Sequence, residues 1–517
     1  MKTTRRTFAA SGAAAGFFAL TQKRALSAVA EERRISVNPD ASIATIQPEL
    51  HGNFAEHLGS CIYGGIWVGR DSKIPNIEGY RKEAVEYLRA LGIPVLRWPG
   101  GCFADFYHWR QGIGPAAKRP KMVNTSWGGY VEDNSFGTHE FIRFCRLIGS
   151  EPYLAVNMGS GTPQEMMEWM EYCNYPSGST LSDERAANGS PEPFRVKYWG
   201  IGNENWGCGG SMRPEEYAQQ YRQFATFARA YGGTTPYLIA CGPSRNDTDW
   251  TRVFFTMMVR GTRRRMPTGY AMHFYQRGTQ FATKYTPEAM QEQFRLFRAM
   301  EDGIVEQRDL MNQFDPNKAV ALILDEWGIW DNMVPEEEKK YGRLWQQITT
   351  RCAVGAALGL NIFHRHADKL FMTNIAQTVN VLHSLLLTEG DKCVRTPAYY
   401  AFELLKPHRG RTAVRVQNPD DGANGLSVSA SRRESELVLT LVNPKHDTPM
   451  SANCSIAGRK AVSATARALY HADMNACNTF TAPDVVAPKD HTASVSGSGV
   501  RVELPPLSVV TVTARLG

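Results

Sequence analysis

Residues 196–207 read Val-Lys-Tyr-Trp-Gly-Ile-Gly-Asn-Glu-Asn-Trp-Gly, a short apolar run that stops at a glutamate, Glu204. Residues 319–328, Ala-Val-Ala-Leu-Ile-Leu-Asp-Glu-Trp-Gly, repeat the arrangement around Glu326. Each run has the length and apolar content of a strand buried on both faces. Six more runs of this kind fall at Gly52–Leu58, Pro94–Gly100, Pro152–Met158, Tyr237–Gly242, Gly269–Tyr275 and Lys369–Ile375. Between them lie amphipathic stretches with helical spacing: Glu78–Leu91, Thr138–Ile148, Pro163–Cys173, Pro214–Tyr231, Asp247–Arg260, Pro287–Leu310 and Lys339–Leu360. Pro163, Pro214 and Pro287 stand where a first helical turn tolerates proline. Strands alternating with helices over this length predict an α/β fold, a (β/α)8 TIM barrel, with Glu204 ending the fourth strand and Glu326 the seventh.

After about residue 410 the helical periods vanish, and short runs rich in Ser, Thr and Val, such as Leu437–Val442 and Ser508–Ala514, predict a C-terminal β-sandwich. The expected domains are a catalytic barrel over 50–395 and a β-sandwich with a linking helix over 396–517. Residues 31–49 hold two β-like segments, Arg34–Val37 and Ile43–Ile46, expected to pair with the sandwich.

Residues 1–30 read as a twin-arginine export signal: Thr4-Arg5-Arg6-Thr7-Phe8, an Ala- and Gly-rich stretch, then Ala28-Val29-Ala30 as a cleavage site. The segment carries five of the seven net positive charges, so the rest of the chain is nearly neutral and makes no electrostatic case for nucleic acid. Periplasmic or secreted localisation follows as an expectation. No later run is apolar and long enough to span a membrane. Ten cysteines lack C-x-x-C spacing, which excludes a zinc ribbon and a dense disulfide framework; a Cys454–Cys477 bridge is left open.

Two carboxyl groups at the ends of separate barrel strands are the equipment of glycoside hydrolysis, one protonated to release the leaving oxygen and one ionised to attack the sugar carbon. Asp325, beside Glu326, is expected to point the opposite way along the pleat and has no assigned role. The cluster His364-Arg365-His366-Ala367-Asp368 has metal-like residue types but is read as a hydrogen-bonded loop, and no metal or cofactor is expected.

The chain resembles glycoside hydrolase family 51, whose members include α-L-arabinofuranosidases. The likeness is carried by Gly-Asn-Phe-Ala-Glu-His-Leu-Gly (52–59), Leu-Arg-Trp-Pro-Gly-Gly (96–101), Glu-Asp-Asn-Ser-Phe-Gly (132–137), Gly-Asn-Glu-Asn-Trp-Gly, His-Phe-Tyr (273–275), Asp-Glu-Trp and Asn-Ile-Ala-Gln (374–377). It implies Glu204 as general acid/base and Glu326 as nucleophile, with Asn203 on the sugar 2-hydroxyl. Tyr275 and His273 would contact or orient the carboxyls, Glu56 and Arg97 would serve the sugar subsite, and Gln377 would reach in from strand eight. For Arg97 and His273 a purely structural role is the competing reading. Cys102 stands where many relatives carry Asn, and is expected to face the sugar with a thiol or only its backbone. The implied activity is retaining, exo-acting release of terminal α-L-arabinofuranose from arabinan, arabinoxylan or arabino-oligosaccharides. The alternatives are endo-β-glucanase or β-xylosidase action at the same site, and a non-catalytic carbohydrate-binding protein. Loops around Trp67, Trp127 and Cys208–Gly210 are expected to decide between pocket and groove. The resemblance also implies a homo-oligomer, a hexamer.

Overall fold

The computed structural model describes residues 30–260, 265–417 and 425–517. Nearly all of the expected export signal lies outside the described residues. Eight parallel strands close into a barrel: β1 (Gly52–Phe54), β2 (Val95–Trp98), β3 (Glu151–Val156), β4 (Tyr198–Ile201), β5 (Tyr237–Ala240), β6 (Gly269–Phe281), β7 (Ala321–Asn332) and β8 (Leu370–Ala376). Each of the eight apolar runs supplies one of them. Val95, Tyr153, Tyr198, Ile239, Ala271, Ile323 and Met372 fill the barrel interior, so the barrel is packed and only its mouth is open for chemistry.

The helices start and stop where local chemistry directs. Thr162 and Thr286 cap helices Pro163–Asn174 and Pro287–Phe314 by accepting from the backbone N–H of Glu165 and Ala289. Gly92 and Gly149 end helices Lys82–Leu91 and Thr138–Ile148 in the left-handed conformation (φ +68° and +74°). One predicted helix, Lys339–Leu360, is instead two, Pro335–Tyr341 and Thr350–Arg365. The break falls at Gly342 (φ +109°), and Trp345 beyond it bridges to Val381 rather than continuing the turn.

The pleat at β7 also departs from expectation. Leu324 aligns with Met272 of β6, but Glu326 rather than Asp325 aligns with His273. A matching irregularity separates Leu324 from Trp327 against β8. This bulge inserts Asp325 as an extra residue. Asp325 therefore does not point away from Glu326, as alternation predicts: both carboxyls reach the same guanidinium, that of Arg97.

The C-terminal region forms one continuous ten-stranded sheet that folds over a core including Ile35, Val37, Leu439, Leu441, Val502 and Val512. The two N-terminal segments merge into one strand, Glu31–Thr45, which lies between strands Thr412–Gln417 and Met450–Ile456 of this sheet. Helices Thr350–Arg365 and Pro397–Leu405 carry the seam between barrel and sheet. Three histidines are buried there. His51 and His364 share a 2.9 Å ring-nitrogen contact, His364 reaches Ser429 at 3.2 Å, and His408 reaches Ser431 and Thr440 at 2.8 and 2.9 Å. The 364–368 cluster is taken up by hydrogen bonds, with Arg365 and His366 on Glu301 and Asp368 on Arg308.

Candidate active site at the barrel mouth

A pocket of about 390 Å³ opens at the C-terminal ends of the strands, lined among others by Glu56, Trp127, Glu204, His273, Tyr275, Glu326 and Gln377. Its floor is organised by Arg97, fully buried at the end of β2. One arm, Nη1, donates to Glu326 Oε1 at 2.8 Å, and the other, Nη2, donates to Asn203 Oδ1 at 2.6 Å. The guanidinium rests on the Phe54 ring, 4.7 Å from its centroid. Arg97 and Asn203 thus lie beneath the pocket rather than on its wall. Arg97 acts on the carboxylate and the amide, and the Nδ2 donor of Asn203 lies 4.0 Å from Cys208 Sγ.

Glu326 is buried and held from several sides. Tyr275 donates to its Oε2 at 2.7 Å, and His273 Nδ1 lies 3.7 Å from the same oxygen. Burial alone would raise its pKa, but His273, Arg97 and the Tyr275 hydroxyl outweigh burial and hold the carboxyl below its ordinary value. Glu204 is held more loosely. It has a positive φ of 43° after Gly202 (φ 81°), where a Cβ would come within 2.2 Å of Asn205 Oδ1. Its Oε1 meets His273 Nδ1 at 2.9 Å. Burial opposes a charged His273, yet Glu326 and Glu204 together raise its pKa. One oxygen of Glu204 and one of Glu326 lie within 4.8 Å of each other.

Glu56 faces Glu326 across the pocket with its Oε1 already saturated. It accepts from the backbone of Gly101 (3.0 Å) and Phe103 (3.0 Å) and from Trp127 Nε1 (2.9 Å). Gln377 donates to Oε2 at 3.2 Å, the oxygen left for a ligand hydroxyl. Burial and then the Glu326 charge push the Glu56 carboxyl up to about 7. The Gly100-Gly101 pair follows from this crowding. A Cβ on Gly100 would meet Glu56 Cγ at 2.7 Å, and one on Gly101 would meet Glu326 Oε1 at 2.7 Å.

The structure corrects the reading of Cys102 and settles the pairing left open for Cys454 and Cys477. Cys102 is not a free thiol facing the sugar: it forms a disulfide with Cys208, 106 residues away, beside Glu204. Cys454 and Cys477 are both free, and Cys454 is buried in the sheet core. Trp127 does cover the pocket, but Trp67 is buried against Tyr80 and Phe136 and takes no part in it.

Several supporting residues escaped the sequence reading. Asp105 accepts from the backbone N–H of Met158 (2.8 Å), Gly159 (2.7 Å) and Asn203 (3.2 Å), pinning the loops after β3 and β4. Asp325 accepts from Tyr153 (2.7 Å) and Asn374 (3.2 Å). His57, bonded to Glu132 at 3.1 Å and Trp98 at 3.1 Å, backs the loop that carries Glu56. Arg245, Arg277, Trp206 and Trp330 line the outer pocket, and Arg277 lies 3.9 Å above the Trp330 ring. Only the acidic and aromatic residue types, not their partners, were visible in the text.

Comparison with known proteins agrees with this geometry. Residues 87–292 match a family model described as the α-L-arabinofuranosidase 1 domain, and 325–508 match the α-L-arabinofuranosidase C-terminal domain. An intracellular exo-α-L-arabinofuranosidase of Bacteroides ovatus is 40% identical over 494 residues, spanning 92% of this chain and 94% of its own. The GH51 arabinofuranosidase of Xanthomonas axonopodis pv. citri superposes with a TM-score of 0.89 at 38% identity, over 93% of this chain and 99% of its own. The α-L-arabinofuranosidase of Thermotoga maritima, solved as an arabinose complex, gives 0.81 at 29% identity over 93% and 99%. With its barrel closed around two strand-end glutamates and these relatives matched nearly end to end, the chain belongs to glycoside hydrolase family 51, the family of the α-L-arabinofuranosidases.

Proposed function

We propose that the protein releases terminal α-L-arabinofuranosyl residues from arabinan, arabinoxylan or arabino-oligosaccharides with retention of configuration. The carrying observation is the approach of Glu204 and Glu326 oxygens to within 4.8 Å. Retaining glycosidases hold their carboxyls about 5–5.5 Å apart, whereas inverting ones leave about 6.5–9.5 Å for a water. The pocket of about 390 Å³, with Trp127, Trp206 and Trp330 in its lining, is of a size for a terminal sugar and supports exo action over the endo-β-glucanase alternative. A non-catalytic binding role has no use for a nucleophile kept ionised by a buried guanidinium.

The roles follow from the contacts. Glu326, held ionised by Arg97 and Tyr275, attacks the anomeric carbon. Glu204 protonates the departing oxygen, then takes the proton of the water that releases the sugar. Its Oε1 is engaged by His273, so the transferable proton sits on Oε2. That oxygen faces the sulfurs of Cys102 and Cys208, which are weak acceptors that do not compete for it. Asn203 Nδ2 and Glu56 Oε2 meet the sugar hydroxyls, the first strengthening its bond as positive charge develops on the ring.

The test is hydrolysis of p-nitrophenyl α-L-arabinofuranoside by the parent, Glu204→Ala and Glu326→Ala. Azide should rescue Glu204→Ala and give a glycosyl azide of retained (α) configuration, because it displaces Glu326 from the β-linked glycosyl-enzyme, whereas with Glu326→Ala azide can attack only the substrate itself and would give the inverted β azide. Turnover only of aryl β-xyloside or soluble β-glucan would keep the mechanism and overturn the arabinose assignment. We also propose export through the twin-arginine segment, although the B. ovatus relative is named intracellular. The Cys102–Cys208 disulfide supports an oxidising compartment. Fractionation of the native host and N-terminal sequencing of the processed chain test export, and sedimentation tests the expected hexamer.

A further inference from the structure

The disulfide carries a consequence beyond the sugar chemistry. Cys208 lies exposed on the loop after β4, and Cys102 half-buried at the pocket wall, so a small reductant can reach the bond. Glu204 Oε2 lies 3.6 Å from Cys208 Sγ and 4.0 Å from Cys102 Sγ. Tetrahedral zinc, with about 2.3 Å to sulfur and about 2.0 Å to oxygen, places sulfur and oxygen ligands roughly 3.5 Å apart. Two edges of such a ligand set are therefore nearly in place, and only the sulfur–sulfur edge must open. Breaking the S–S bond opens it. His273 already holds the other Glu204 oxygen at 2.9 Å, the outer hydrogen bond that orients a ligating carboxylate. Asn203 Nδ2, 4.0 Å from Cys208 Sγ, is placed to donate to a thiolate.

We propose that reduction of Cys102–Cys208 creates a binding site for a thiophilic divalent cation of the zinc class, with the two sulfurs and the Glu204 carboxylate as ligands and water as the fourth. A dithiol reductant supplies two electrons and two protons, giving two cysteine thiols and its own cyclic disulfide. The cation then displaces both thiol protons to solvent and occupies the Glu204 oxygen that carries the catalytic proton. The oxidised bridge keeps that oxygen free; the reduced pair offers it to metal. The inhibition arm rests on Glu204 being the acid/base of the proposed reaction, whereas the binding arm does not.

The experiment uses the full chain, reduced with dithiothreitol and desalted anaerobically, beside untreated protein. Added Co²⁺ should give a thiolate-to-cobalt charge-transfer band in the near ultraviolet, at one ion per chain, in the reduced protein alone. Cys208→Ser should lose the band, and Glu204→Gln should bind more weakly. Stoichiometric Zn²⁺ should cut arabinofuranosidase turnover of the reduced enzyme by about 10²-fold, the scale of lost acid/base catalysis, and EDTA should restore it. The untreated enzyme should be unaffected. No band after reduction, or a band of equal strength in Cys208→Ser, would overturn the proposal whatever the activity assay shows. A band with unchanged turnover on an active substrate would overturn the placement of the ion on Glu204.

Discussion

The barrel mouth and the seam beneath the sheet both bury clusters of ionisable side chains, and they solve the problem in opposite ways. At the mouth the groups are charged and paired: Arg97 lies against Asp325 and Glu326, and His273 against Glu204 and Glu326. At the seam His51, His364 and His408 have their pKa values pushed down by burial, and Ser429, Ser431 and Thr440 meet the rings as neutral partners. Buried charge is costly unless compensated, and here it stands where the proposed chemistry needs an ionised nucleophile. The mouth should fail when it loses a charge, and the seam when it gains one.

The largest effect is expected from Glu326→Ala. Removing the covalent nucleophile should lower kcat by about four orders of magnitude or more, with a far smaller loss of stability, because Asp325 remains beside the Arg97 guanidinium that loses its Glu326 partner. A fall in stability matching that in activity would mean that Glu326 serves the fold rather than the reaction. Arg97→Ala should injure both. It leaves Glu326 and Asp325 buried without their cation, at a cost of about 3–5 kcal/mol, read by urea denaturation, and Glu326 should titrate higher, moving the acidic limb of the pH–rate profile upward. Tyr275→Phe removes one hydrogen bond to the nucleophile, worth about 1.5–3 kcal/mol when the acceptor is charged. That predicts roughly a ten- to hundredfold loss in kcat/KM with stability almost unchanged.

The text of the chain displayed the architecture more fully than the contacts. Eight short apolar runs separated by amphipathic helices were legible because a parallel barrel buries both faces of its strands, and the two glutamates stand where the runs end. Each miss involves a relation between distant residues. Cys102 and Cys208 meet because the loops after β2 and β4 both descend on the same rim, which no spacing rule encodes over 106 residues. Asp325 faces inward because of a bulge set by the neighbours β6 and β8, so alternation within β7 misdirects it. Glu56 looked like a ligand for sugar hydroxyls. It is at least equally a clamp on the Gly101–Phe103 backbone, and the Trp127 ring that fills its third hydrogen bond lies 71 residues away.

The smallest effect sharpens the other half of the comparison. His408 is buried with both ring nitrogens engaged by hydroxyls, and burial, then Arg411, lower its pKa to about 3. His51 is pushed down by burial, then by Arg409, His364 and His408, and His364 by burial, then by His408, Arg365 and Arg409. In the unfolded chain each imidazole takes a proton near its ordinary value of about 6.5. The contribution of the neutral seam is therefore complete above that value and is lost as pH falls below it, until His408 itself protonates near 3. Each histidine can contribute at most about 1.4 kcal/mol per pH unit across that window. Urea midpoints at pH 7, 5.5 and 4.5 should fall accordingly, and His408→Gln, whose amide can reach the same hydroxyls, should flatten the slope. A pH dependence unchanged by His408→Gln would place the acid sensitivity at the mouth, among Glu56, His273 and Glu326, and the two regions would no longer differ in how they fail.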